Sequence, residues 1–230
     1  MTFSIIIPTL NEAHNIKQLV QFVMLLERKE ILEIIVVDGG STDNTCDLAG
    51  LAGAKVIQLS RNSRAIQLNH GARVALGDIL YFVHADVKLL SSFVDDILEA
   101  ISQGYSAGCY RYVFDSPKIM LKVNAFFTRF DSLICRGGDQ TLFIRNSDFR
   151  AMGGFDESYL IMEEYDFITR LRRRFAFKII PKNILVSARK YETNSWLRVQ
   201  IANLLIFIMF FFRRSPDEMK QIYKILLNYR

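Results

Sequence analysis

Three carboxylates fall within four positions at Glu163, Glu164 and Asp166, and two more, Asp38 and Asp43, bracket the turn Gly39-Gly40-Ser41-Thr42. Crowded carboxylates raise one another's pKa, which suits a general base working near neutral pH. A carboxylate beside a glycine turn accepts hydrogen bonds from ribose hydroxyls or a base N–H, whereas phosphate would be repelled. A third site, His84-Ala85-Asp86, follows the apolar run Ile79 to Val83 and puts an imidazole and a carboxylate on one side of an extended segment. That pair could hold Mg²⁺ or Mn²⁺ bridging a diphosphate. Each motif has a plainer reading as well: a strand-turn-helix connection with Asp43 as cap, a turn acid beside a hydrogen-bonded histidine, and a helix first turn whose acids complement the macrodipole. Taken together, the residues point to nucleotide binding combined with acid/base chemistry. There is no GxGxxG and no GxxxxGK[ST], which argues against dinucleotide and P-loop chemistry.

The elements that must position these groups are legible in the hydrophobic pattern. Short β-branched runs at Ser4 to Ile7, Glu33 to Val37, Lys55 to Leu59 and Ile79 to Val83 alternate with helical periodicity. Thr9 and Glu12 read as a capping box ahead of a helix carrying Ile16, Leu19, Val20, Val23 and Met24. Further helices are expected from Asp43 to Thr45 onward, over Arg64 to Leu76, and after Ser91 and Ser92. The pattern predicts an α/β, Rossmann-like, mostly parallel sheet flanked by helices. In such sheets ligands bind beyond the carboxyl ends of the strands, where Pro8-Thr9, Asp38-Gly39-Gly40 and His84-Ala85-Asp86 all fall. Residues 1–105 read as a nucleotide-binding half and 106–194 as the second half of the same domain, with glycine turns at Gly137-Gly138 and Gly153-Gly154. Gly138, Asp139 and Gln140 form a candidate acceptor-side loop.

Residues 195–230 change character. Ile201 to Phe212 is apolar almost all round and is flanked by Trp196, Arg198, Arg213 and Arg214. Twelve residues are too few for a spanning helix, which takes about 20. Two readings remain open: an interfacial or re-entrant helix with aromatic and arginine anchors, or a packing helix buried in the fold or in a homodimer. Ser215-Pro216-Asp217-Glu218 has the N-cap, first-turn proline and acids of a last helix.

Composition narrows the partners. The chain of 230 residues suffices for one domain, half of it is hydrophobic, and its 18 phenylalanines exceed what a core of this size needs. A net charge of +5 and basic residues at Arg170, Arg172, Arg173, Arg174, Lys178, Lys182, Arg189 and Lys190 suit an anionic lipid or a phosphorylated ligand. No aromatic-basic alternation or helix-turn-helix accompanies them, so nucleic acid is not the expected partner. Cys46, Cys109 and Cys135 show no CxxC spacing, and reduced cytosolic thiols are expected. Met1 to Ile5 lead straight into a strand without the features of a signal peptide.

Four motifs in register, Ile5-Ile6-Ile7-Pro8-Thr9-Leu10-Asn11-Glu12, Val36 to Asp43, His84-Ala85-Asp86 and Glu163 to Asp166, resemble glycosyltransferase family 2, with the GT-A fold, from Ser4 to about Arg174. The length and the Arg136 to Gln140 loop look most like its small bacterial members. The resemblance implies that Pro8, Thr9 and Glu12 border the nucleotide, that Asp38 and Asp43 contact its uridine part and that Arg64 lies near it. Asp86 matches the metal-binding acid of the family's DxD motif, whose first acid is His84 here. Glu164 stands where the family has the aspartate of its Glu-Asp pair and is the candidate base, with Glu163 and Asp166 as the other choices. The expected reaction is an inverting, Mn²⁺- or Mg²⁺-dependent transfer from a nucleotide-sugar donor, UDP-linked, to an unknown lipid-linked or membrane-proximal acceptor at the inner face of the cell membrane. Rival readings are a nucleotidyltransferase and a catalytically inactive nucleotide-sugar-binding membrane scaffold.

Overall fold

The structure is a computed structural model that describes residues 1–60, 63–136 and 140–227. Its strands are β1 (Phe3–Thr9), β2 (Ile31–Asp38), β3 (Lys55–Gln58), β4 (Ile79–Phe82), β5 (Ala107–Phe114), β6 (Leu142–Arg145) and β7 (Phe177–Val186). The helices are α1 (Ala13–Leu25), α2 (Thr45–Leu51), α3 (Arg64–Val74), α4 (Phe93–Ser102), α5 (Ile119–Phe127), α6 (Asn146–Ala151), α7 (Glu163–Leu171), α8 (Lys190–Thr193), α9 (Trp196–Phe211) and α10 (Pro216–Leu226). All seven strands join one sheet in the order β3-β2-β1-β4-β6-β5-β7. The pairs β3·β2, β2·β1, β1·β4 and β5·β7 are parallel, and β6 runs antiparallel to both β4 and β5. Because only β6 is reversed, the carboxyl ends of β1, β2, β4, β5 and β7 share one edge. The mostly parallel sheet expected from the sequence is present, with β6 as its mixed element.

The sheet is covered on both faces, which is why its strands read as near-continuous apolar runs. Phe3, Ile5 and Ile7 of β1 point into a layer that includes Val20 of α1, Phe93 and Ile97 of α4, and Val199 and Ile206 of α9. Ile6 points the other way, into a layer with Ile35, Leu68 and Ala72 of α3, and Phe167 of α7. Two glycines permit close approaches that the site depends on. A Cβ on Gly71 would sit 2.5 Å from Ile6 Cγ2, so α3 can lie directly on β1, and one on Gly108 would sit 2.3 Å from the Lys178 carbonyl between β5 and β7.

Several local expectations change. Thr9 is the last residue of β1 and its hydroxyl donates to Asp38 Oδ1 at 3.1 Å, while Glu12 occupies the N-cap of α1 without a side-chain cap bond, so no capping box forms. Thr9 still belongs to β1, three residues ahead of the N-cap, so its hydroxyl oxygen has no first-turn N–H of α1 to accept from. The apolar tail is two-faced: Val199, Ala202, Ile206 and Met209 of α9 and Met219 and Tyr223 of α10 are buried in the main core. No helix among the described residues is long and apolar enough to cross a membrane. The start of α10 is as expected, with Ser215 Oγ accepting from Glu218 N at 3.1 Å and Pro216 in the first turn.

Candidate active site

The carboxyl edge of β1 and β2 builds the first part of the site. Asp38 is 1% exposed, and its carboxylate accepts from Thr9 Oγ1, from the Gly40 and Ser41 amides at 2.9 and 2.7 Å, and from Ser41 Oγ. Burial opposes its charge, yet these donors together hold its pKa below the ordinary carboxylate value. All four lone-pair sites are used by the protein, so Asp38 organises the turn and presents its backbone. Asp43 is likewise held below its usual pKa: burial works against the charge, and the Thr45 hydroxyl, the Thr45 amide at 3.0 Å and the Ala13 amide at 3.2 Å outweigh it. Asn11, at φ +55°, locks the loop after β1 to this turn by accepting from Thr42 N at 2.8 Å, while its own amide donates to Ser41 Oγ at 2.8 Å. Beneath them the buried Gln67 of α3 donates to the carbonyls of Thr9 and Val37, both at 2.8 Å, and so ties the two strand ends together. Pro8 lies in β1, paired with Val37.

The second part joins residues separated by about a hundred positions. Arg64, the first residue of α3, donates from Nη2 to Glu164 Oε1 at 2.8 Å and lies 2.7 Å from His84 Nδ1. Its Nε is 3.4 Å from Glu163 Oε1, and His84 Nε2 is 3.6 Å from Glu164 Oε1. Both glutamates sit in the first turn of α7, where the macrodipole favours negative charge, and the chain enters that turn through Met162 at φ +70°. Burial opposes the charge of Glu164, but the Arg64 guanidinium and then His84 lower its pKa. Glu163, 5% exposed, is shifted the other way, chiefly by burial against a weaker pull from Arg64, with Glu164 adding repulsion. The two carboxyls of the crowded pair are therefore pushed in opposite directions, Glu164 toward the ionised form and Glu163 toward the protonated one. Asp166 pairs instead with Arg170 at 2.7 Å, and Arg170 also bonds the Met152 and Gly154 carbonyls, which directs Asp166 to bracing α7.

His84 and Asp86 do not act as a pair here. The segment turns, with Val87 N donating to the His84 carbonyl at 3.2 Å, so His84 meets Arg64 and Glu164 while Asp86 meets Arg189. Arg189 is the residue sequence reasoning left inside a generic basic patch. It lies three positions beyond β7, at the same carboxyl edge, and its guanidinium bridges Glu12 at 2.7 Å and Asp86 at 3.4 Å. The signal that could have found it is that placement: a cation just past a parallel strand at the edge where the other motifs lie.

Of the acceptor-loop candidates, Gly138 and Asp139 lie outside the described residues. Gln140 is buried and donates to the Tyr110 carbonyl at 3.3 Å. The preceding Arg136 is buried too, its guanidinium 3.0 Å from Cys109 Sγ and bonded to the Thr128 carbonyl at 2.9 Å, while its own carbonyl accepts the Tyr165 hydroxyl.

Among the described residues no three His, Cys, Asp or Glu side chains form a cage for a metal. The donor set still fits a hard divalent cation of the kind that takes one carboxylate and completes its shell with water and substrate phosphate oxygens. Asp86, with a side chain 27% exposed at the cleft, is the carboxylate placed to supply that contact.

The sheet order and the motif-bearing edge define the GT-A class of fold. With 17% identity, TarS of S. aureus, solved in complex with UDP, superposes with a TM-score of 0.64 over 97% of this chain and 70% of its own. Glucosyl-3-phosphoglycerate synthase from Mycobacterium tuberculosis, solved with Mn²⁺, UDP-glucose and phosphoglyceric acid, superposes at 0.59 with 18% identity over 89% of this chain and 78% of its own. The model of Glycosyl transferase family 2 matches residues 4–178, and the chain belongs to that family. A curated relative, the undecaprenyl-phosphate 4-deoxy-4-formamido-L-arabinose transferase of Pectobacterium atrosepticum, is 25% identical over 225 residues, covering 88% of this chain and 64% of its own length. The chain spans 30% and 64% of the lengths of the first two curated relatives it matches.

Proposed function

We propose that this chain transfers a sugar from a nucleotide-diphosphate donor, UDP-linked, to the hydroxyl of a lipid-linked or membrane-proximal acceptor, with inversion at the anomeric carbon. The observation that carries this reading is the meeting of Arg64, His84, Glu163 and Glu164 beside the Glu12–Arg189–Asp86 bridge at one sheet edge. Family membership supports the transfer chemistry, and the neighbours solved with UDP and with Mn²⁺ and UDP-glucose support the donor class. The relative named for undecaprenyl phosphate supports a lipid-linked acceptor.

In this reading the turn from Asp38 to Asp43 offers backbone groups and Ser41 to the nucleoside, with Pro8, Thr9 and Glu12 forming the wall beside it. Glu164, kept ionised by Arg64, takes the proton of the acceptor hydroxyl as its oxygen attacks the anomeric carbon from the face opposite the leaving diphosphate. The carbon–oxygen bond to the diphosphate breaks as the new one forms, so a single displacement inverts the centre without a covalent intermediate. Positioned base catalysis of this kind supplies about 10²–10⁴ in rate. Asp86 would hold Mn²⁺ or Mg²⁺, which neutralises charge on the departing diphosphate when bound. Residues 1–105 serve the donor, 106–194 the acceptor and base, and 195–230 the membrane side. The cytoplasmic face is where nucleotide sugars are available, and the protein works there peripherally.

The test is calorimetry of UDP, UDP-sugars and GDP-sugars with and without Mn²⁺ on wild type and Asp86→Ala, followed by turnover with the sugar that binds. Metal-assisted affinity for one UDP-sugar, lost in the variant, is expected. Absence of binding to every nucleotide would overturn the reading, and tight binding without transfer to any polyprenol-type acceptor would favour an inactive scaffold.

A further inference from the structure

The membrane side of that reading rests in the sequence on the α9 region alone, but the structure places a second apolar helix beside it. Along α5 and the segment after it, Ile119, Met120, Val123, Phe126, Phe127, Phe130 and Ile134 are all exposed. Along α9 the buried line leaves Leu197, Ile201, Leu204, Ile208, Phe211 and Phe212 facing outward at helical spacing. Exposed apolar surface on this scale marks an interaction site rather than ordinary surface.

The two helices meet directly at the start of α9 and are linked indirectly further along. The Trp196 indole donates to Asn124 Oδ1 at 3.3 Å, and just before it Lys118 Nζ donates to the Tyr191 carbonyl of α8 at 3.1 Å. Further along, Phe207 packs on Tyr165 with ring centroids 5.8 Å apart, Tyr165 bonds the Arg136 carbonyl, and the Arg136 guanidinium holds the Thr128 carbonyl at the end of α5.

Charge decides what covers this face. From Lys118 to Ile134 and from Ser195 to Arg214 the one acid is Asp131, paired with Arg172 at 2.5 Å, while Lys118, Lys122, Arg129, Arg198, Arg213 and Arg214 supply six cations. All six are exposed, and none forms a salt bridge among the described residues. A second copy docked through this face would be isologous and would set six cations against six, with Asp131, already held by Arg172, as the one acid to meet them. An anionic lipid surface answers both features, taking the apolar side chains below the headgroups and the Lys and Arg tips at the phosphates.

We infer that α5 and α9 together form a two-helix platform that seats the protein on an anionic bilayer. Tyr165, next to Glu164 in α7, links the platform to the base. The inference rests on the membrane-proximal acceptor of the proposed function and names the surface that reaches it.

The test is co-sedimentation with vesicles of phosphatidylcholine alone or of equal parts phosphatidylcholine and phosphatidylglycerol. Emission from Trp196, the chain's single tryptophan, and sedimentation velocity are read on the same samples. Wild type is expected to bind the anionic vesicles, with a blue shift of Trp196, and to bind neutral ones far less. Phe126→Ser/Phe127→Ser in α5, Leu204→Ser/Ile208→Ser in α9 and Lys122→Glu/Arg129→Glu should each weaken binding by about tenfold or more. Anionic binding unchanged in the α5 variants would leave α9 alone as the anchor and overturn the platform. So would a wild type that ignores vesicles and sediments as a dimer disrupted by the α5 substitutions. UDP calorimetry on every variant keeps the two readings apart: vesicle binding lost with UDP binding intact reports on the platform, and UDP binding absent in wild type reports on the donor site.

Discussion

Charge at the proposed base, Glu164, is favoured by Arg64 and then by His84. Arg64 reaches Glu164 at 2.8 Å and Glu163 at 3.4 Å, and the two glutamates respond in opposite directions because burial wins at one and the guanidinium at the other. If Glu164 is the base, activity falls as pH drops through its lowered pKa, so the acid limb of kcat/KM lies below the ordinary glutamate range. Arg64→Met removes the cation that favours the ionised form, and the limb should move to higher pH. Glu164→Gln should cost about 10²–10⁴ in kcat with nucleotide affinity retained. A Gln variant with near-native turnover would move the role away from Glu164, and a limb that stays put in Arg64→Met would mean that neither glutamate sets it, since Arg64 acts on both.

Arg189 poses a different question, since it pairs with Asp86 at 3.4 Å. For a partly exposed pair of this type, Arg189→Ala should raise the Mn²⁺ affinity of the donor-free protein by about two- to fivefold. Titration with Mn²⁺ alone, read by electron paramagnetic resonance, checks this. An unchanged affinity would mean that the cation does not bind at Asp86.

The elements explain why the site was only partly legible in the sequence. Alternating β-branched runs and helical periodicity located β1 to β4 and α1 to α4 within a few residues, since a doubly covered parallel sheet needs that pattern and each turn carries its own polar signal. Strand β6 is no shorter than β3 or β4 but escaped because it stands outside the alternation of βαβ units, and its antiparallel pairing with β4 and β5 is wholly non-local. Glu163, Glu164 and Asp86 were visible as motifs, and Arg64 only through the family resemblance. Arg189 was not, because its importance comes from the crossover that brings β7 to the shared edge. The division of α9 into a buried and an outward face was likewise invisible in a run where nearly every residue is apolar. The buried line now predicts that α9 is part of the fold. Ile206, 2% exposed, should cost about 2–5 kcal/mol when cut to Ala, against less than about 0.5 kcal/mol for Leu204→Ser on the outer face. Chemical denaturation of both variants compares the two faces, and equal midpoints would mean that α9 is only docked on the core.

At the scale of the molecule, the proposed donor cleft is assembled from distant parts of the chain: β1, β2 and α3 from its first third, the turn after β4, the first turn of α7, and Arg189 beyond β7. A ligand there touches groups that only the complete sheet brings together, so its binding free energy adds to the stability of the whole fold and not to one half of it. At a hundred times its dissociation constant, UDP with Mn²⁺ should contribute about 2.7 kcal/mol. For a chain of this size each kcal/mol raises the midpoint by about 2–4 °C, so thermal unfolding should shift upward by roughly 5–10 °C. The transition should remain single, because β4 pairs directly with β6 and leaves no seam at which the halves could melt apart. In Asp86→Ala the increment that depends on Mn²⁺ should vanish while a smaller one from the nucleoside persists, as the turn held by Asp38 is untouched. Two separate transitions, with UDP moving only the first, would show that the donor half folds and binds without the segment that carries Arg189 and the glutamates, and the shared-edge account of the site would then fail.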